Sequence, residues 1–168
     1  VSAKVQTTRA RITAIGMAGE TQIVFVDTPG IFKPKRRLDP AMVAAAWSGI
    51  DDADAVLLLV DAAKGFDDES RAIVEALQER KRPNVLLALN KIDTIARDKL
   101  LSLAKQLNDA YPFEQTFMIS ATKGSGVEDV RGELAKRMPA GPWPYPEDQL
   151  ADVPMRFLAA EITREQVY

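Results

Sequence analysis

The stretch NVLLALNKID, Asn84 to Asp93, decides the fold. Val85 to Leu89 are apolar without interruption, as in a parallel strand covered on both faces. The run then ends abruptly in an amide, a lysine and, after one spacer, an acid. Two similar runs flank it, AVLLLVDA (Ala55–Ala62) and TFMISA (Thr116–Ala121). Helical patterns lie between the runs. In DDESRAIVEALQERK the first turn is acidic and the last basic, which suits the helix dipole. Ile73, Val74 and Leu77 form its apolar stripe, and Pro83 stops it. Leu100, Ala104 and Leu107 repeat the spacing before Tyr111-Pro112, and Val127, Val130, Leu134 and Met138 repeat it before a proline-rich segment. Strands alternating with helices predict βαβ units and an α/β fold with a mostly parallel sheet.

The front of the chain is different. ARITAIGMAGETQIVFVDTPG reads as two strands joined by a turn near Ala18-Gly19-Glu20, hence an antiparallel edge hairpin. DPAMVAAAWSGI predicts a helix capped by Asp39 with Pro40 at its first position, and Trp47 in it reads as core packing. PAGPWPYPEDQLADVP is an extended, proline-rich connector. Trp143 and Tyr145 within it are expected to pin it onto a domain surface rather than to stack on a base. Residues 1–139 therefore form the main domain, 140–154 an interdomain linker, and 155–168 the start of something new. The chain opens at Val1 without an initiator methionine, and FLAAEITREQVY reads as a helix still running, so a fragment is expected.

Composition narrows the chemistry. The 168 residues carry 22 basic and 24 acidic side chains, so net charge selects no partner, and a nucleic-acid-binding domain is usually clearly basic. The chain has no cysteine and no histidine. That excludes disulfides, thiol chemistry, a histidine general base and histidine-ligated zinc, and it suits a reducing cytosol. No apolar run approaches the roughly 18 residues of a membrane span.

Open α/β sheets bind ligands beyond the carboxyl ends of their strands. There the sequence places Asp27-Thr28-Pro29-Gly30, Asn90-Lys91-Ile92-Asp93 and Ser120-Ala121, in an order that fits a guanine nucleotide. Guanine offers two neighbouring donors, N1–H and the N2 amine, and the Asp93 carboxylate can accept both. Adenine has an acceptor at N1 and no amine, so an ATPase is disfavoured. A site built to bond a group rejects analogues that lack it. Asn90 can reach N7 and tie neighbouring loops, and the Lys91 stem can lie along the ring. The Ala121 N–H can donate to O6 while Ser120 holds the turn. Asp27 can hold Mg²⁺ through water, and Gly30 lets its N–H approach a terminal phosphate. Asp61 reads as ordinary strand termination. KPKRR (Lys33–Arg37) reads as a solvated loop before an RNA contact.

With these motifs in place, the chain resembles the translation-factor-like P-loop GTPases, and among them the Era family. QTTR (Gln6–Arg9) is similar to the switch I motif, DTPG to switch II, NKID to the base-specificity motif and ISA to the last guanine loop. YPEDQLADVPMRFLAAEITRE resembles the junction to a KH-type RNA-binding domain. The resemblance implies a Ras-like three-layer fold and GTP hydrolysis coupled to 16S rRNA binding and small (30S) ribosomal subunit assembly. It also implies Mg²⁺ held by Thr8 and, through water, Asp27, with Thr7 the less favoured neighbour, and a monovalent cation such as K⁺. A monomer is expected, cytoplasmic and in part peripheral to the inner face of the cell membrane. The family's phosphate loop, G-x-x-x-x-G-K-[ST], is not in these residues. It is expected shortly before Val1 with its leading strand, which normally lies between the strands ending at Asp27 and near Val60. Ile31 follows DTPG where many small GTPases carry a water-orienting glutamine, so no catalytic residue is assigned. The competing expectation is a nucleotide-independent RNA-binding scaffold, favoured by the missing phosphate loop alone.

Overall fold

A computed structural model describes residues 12–27, 47–147 and 149. The core is built on the run quoted above. It forms β4 (Val85–Asn90), paired in parallel with β3 (Val56–Asp61) on one side and β5 (Gln115–Met118) on the other. Val85 to Leu89 are almost fully inaccessible, as the uninterrupted apolar run requires. Because side chains alternate across a strand, the run feeds two core layers. Val85, Leu87 and Leu89 pack with Val74 and Leu77 of α1 (Asp68–Glu79) and Leu100, Leu103 and Leu107 of α2 (Arg97–Ala110). Leu86 and Ala88 pack on the other face with Phe117, Ile119 and Val130 and Leu134 of α3 (Val127–Arg137). This is an α/β fold with helices on both faces of a parallel sheet.

The front forms the expected hairpin: β1 (Ile12–Ala18) pairs antiparallel with β2 (Thr21–Asp27) across Gly19-Glu20. Gly19 takes a positive φ of 60°, which a two-residue hairpin turn demands and glycine supplies without strain. The hairpin is a separate two-stranded sheet, tied to the rest through Ile23 in the Leu86/Ala88 layer and through α3.

Several local expectations are corrected. Coverage on both faces holds for β4 but not for β3, where Leu59 is 54% exposed. The helix α1 ends at Glu79, so Arg80, Lys81 and Arg82 fall beyond its last turn. Lys81 and Asn84 adopt positive φ there, in the turn that carries the chain past Pro83 into β4. Arg80 stacks over the buried Trp47 ring, 4.4 Å from its centroid, and the Arg82 guanidinium donates to Ala53 O. Asp39, Pro40 and the KPKRR segment lie outside the described residues, as do the linker beyond 149 and all of 155–168.

The described part of the connector is held against the hairpin. Trp143 Nε1 donates to Glu20 O at 2.9 Å. Gln22, only 8% exposed, spends both ends of its amide on Tyr145: Nε2 donates to the carbonyl and Oε1 accepts from the N–H, each at 3.0 Å.

Candidate guanine-binding rim

Parallel pairing puts the carboxyl ends of β3, β4 and β5 on one rim. Asp61 pairs in register with Asn90, and Leu89 with Met118, so the NKID and ISA segments leave the sheet side by side. Asn90 joins them. Its Oδ1 accepts from Lys91 N at 2.8 Å and from Ala121 N, 31 residues away, at 3.0 Å. Ile92 N donates to Ile119 O at 3.2 Å, a second tie between the same loops.

Lys91 adopts a left-handed backbone, φ 64°, a conformation uncommon for a residue with a Cβ and concentrated at functional sites. That kink starts a 3₁₀ turn over Ile92–Thr94, and Thr94 closes it by donating from N and Oγ1 to Lys91 O at 3.0 and 2.8 Å. The turn carries Asp93 to face the next loop. The Ser120 hydroxyl beside it, with Lys123 at 3.4 Å, holds the Asp93 carboxyl below the usual carboxylate range. It is therefore ionised at neutral pH and able to accept two hydrogen bonds from one base edge.

Ser120 is 1% exposed, and its N–H bonds Ser125 O at 3.0 Å, which folds 120–125 into a tight loop. Gly126 follows at φ 72°, and a Cβ there would lie 2.6 Å from Met118 O. Only glycine lets α3 begin that close to β5. The Ala121 N–H, expected to meet a base O6, is engaged by Asn90 in this arrangement.

The structure thus gathers Asn90, Lys91, Asp93, Ser120 and Ala121 on one shelf. Asp27 ends β2. Thr8, Thr28, Pro29, Gly30 and Ile31 lie outside the described residues. No cluster of three or more acidic residues able to hold a metal occurs among the described residues. Of the two residues expected to hold Mg²⁺, Asp27 is the last residue of β2 and Thr8 is among the residues not described. Clefts of about 530 and 400 Å³ lie elsewhere, between β5 and α3 and between residues 62–66 and α2.

Asp61, expected as ordinary strand termination, belongs to this rim. Asp61 Oδ2 accepts from Lys91 Nζ at 2.7 Å, and its Oδ1 accepts from Ala63 N at 2.9 Å. The signal was available in the strand ends: two neighbouring parallel strands finishing in VDA and LNK place acid beside lysine.

Comparison with known proteins fixes the class. The chain belongs to the family described as 50S ribosome-binding GTPase, which matches residues 1–91. Over 99% of its length it is similar, at 60% identity, to GTPase Era of Dinoroseobacter shibae. GTPase Era of Rhizobium meliloti is 58% identical over 100% of it. The chain spans about half the length of these relatives, 55% and 53%. Its fold superposes, with a TM-score of 0.86 and 34% identity, on a crystal structure of Era in complex with MgGDPNP and nucleotides 1506–1542 of 16S ribosomal RNA. That match covers 98% of this chain and 56% of the other.

Proposed function

We propose that this chain is the nucleotide-binding part of an Era-type GTPase. It binds GTP and GDP with Mg²⁺, hydrolyses GTP, and couples nucleotide state to 16S rRNA during small-subunit assembly. The observation that carries the base preference is the rim itself: an ionised Asp93 presented by a left-handed turn, with Asn90 binding two loops into one shelf. The Mg²⁺ and RNA parts are supported by the structural relative that holds both. The family description names the 50S particle, whereas 16S RNA belongs to the small subunit. The likeness to Era extends over nearly the whole chain and the family match over residues 1–91, so the small subunit is preferred.

Chemically, hydrolysis is direct attack of water on the γ-phosphate, with Mg²⁺ supplying charge neutralisation on the phosphate oxygens. The described residues orient the base. Asp93 accepts from N1–H and N2, the Lys91 stem flanks the ring, and Asn90 keeps the two loops at fixed spacing.

The test is a GDP titration with and without Mg²⁺ on the intact protein, followed by phosphate release from GTP with and without an RNA spanning nucleotides 1506–1542 of 16S rRNA. Magnesium-dependent GDP binding and GTP turnover are expected. RNA binding with neither would favour the nucleotide-independent scaffold and overturn this assignment.

A further inference from the structure

We infer that Asp61 is a positioning residue for base recognition: by holding Lys91 Nζ it fixes the lysine stem as one wall of the guanine slot. The inference rests on the base-reading rim proposed above and adds a residue outside its motifs. Lys91 is anchored at both ends. Its backbone is locked left-handed, with its N–H on Asn90 Oδ1 and its carbonyl accepting twice from Thr94. Its ammonium is locked at 2.7 Å on Asp61. Asp61 is itself immobilised, because its second oxygen accepts from Ala63 N and its side chain is 21% exposed.

A lone surface ion pair contributes little, since it must hold two mobile chains in one geometry. Here the backbone already fixes the lysine's origin and the loop fixes the acid. The remaining freedom is the four-carbon stem, which the ion pair stretches between them. The Lys91 side chain stays 53% exposed, so its apolar flank is open for a flat ring. Without Asp61 the stem would be free to rotate away, and ordering it would cost part of the base-binding energy. The acid and the lysine are 30 residues apart in sequence but meet because Asp61 and Asn90 pair in register.

The test is a double-mutant cycle in the intact protein with Asp61→Asn and Lys91→Met, read by GDP affinity and by GDP dissociation rate. Asn keeps an oxygen for Ala63 N while putting an amide NH2 in place of the oxygen that accepts from Lys91 Nζ, and Met keeps an apolar stem without the ammonium. Asp61→Asn should weaken GDP about tenfold, within the range for coupled contacting residues, with only a small loss of melting temperature at neutral pH. The double variant should bind no more weakly than Lys91→Met alone. Wild-type GDP affinity in Asp61→Asn, or fully additive losses, overturns the role of Asp61 while leaving the base rim standing. A wild-type protein that does not prefer GDP to ADP overturns the rim and this inference together.

Discussion

Removing the Asn90 side chain separates its two duties. In Asn90→Ala, the N–H groups of Lys91 and Ala121 lose the oxygen they share at 2.8 and 3.0 Å. Each such bond contributes about 0.5–1.5 kcal/mol, so the pair contributes about 2 kcal/mol. Both donors belong to exposed residues where water replaces part of the loss, which leaves about 1–2 kcal/mol. For a domain of this size that lowers the melting temperature by roughly 5 °C. Asn90→Asp retains acceptor oxygens for both N–H groups but has no amide to donate to a base. Thermal melts of the two variants, followed by GDP titration, resolve the roles. Asn90→Ala should lose both stability and affinity, and Asn90→Asp should lose affinity alone. An Asn90→Ala protein that melts like wild type would refute the loop-tying argument.

Three further perturbations follow from packing and charge. Leu87→Ala, at a fully buried position of the central strand, should cost about 2–5 kcal/mol in denaturant unfolding, because the layer between β4 and α1 cannot collapse around the cavity. Gly126→Ala should cost about 2–4 kcal/mol, since its φ of 72° disfavours a Cβ and that Cβ would meet Met118 O at 2.6 Å. Burial of Asp61 works to raise its pKa, but the Lys91 ammonium and the Ala63 N–H bring it below the ordinary value. The Ser120 hydroxyl and Lys123 do the same for Asp93. A depressed folded-state pKa stabilises above the unfolded value and is lost as pH falls through the folded one. Urea midpoints should therefore stay level above about pH 5 and decline below about pH 4, with a shallower decline in Asp61→Asn.

The readable parts of the sequence are those whose physics is local. Val85 to Leu89 announce a doubly covered strand because burial on both faces needs apolar residues at every position. The stripes at Val74 and Leu77, at Leu100 and Leu107, and at Val130 and Leu134 announce helices because 3.6-residue spacing is set by the helix itself. Asn90 and Asp93 stand out because the chemistry of one base edge requires them close together. The rest depends on long-range contacts that spacing cannot encode. Asp61 looked like a strand end until its register against Asn90 put it beside Lys91. The Gln22 clamp joins residues 123 positions apart, and a glutamine in a strand gives no hint of a backbone partner in a distant connector. Arg80 and Lys81 are the basic end of the predicted helix, yet the helix stops at Glu79 because the chain turns sharply before Pro83.

The most direct test of the central claim is the base preference of Asp93→Asn in the intact protein, measured by competition of GDP and XDP for one site. Asparagine presents an amide N–H where the carboxylate accepted from the guanine amine, and xanthine carries an oxygen at that position. Wild type should prefer GDP, and the variant should prefer XDP. A variant that still prefers GDP would contradict the assignment of Asp93 as the residue that reads the base.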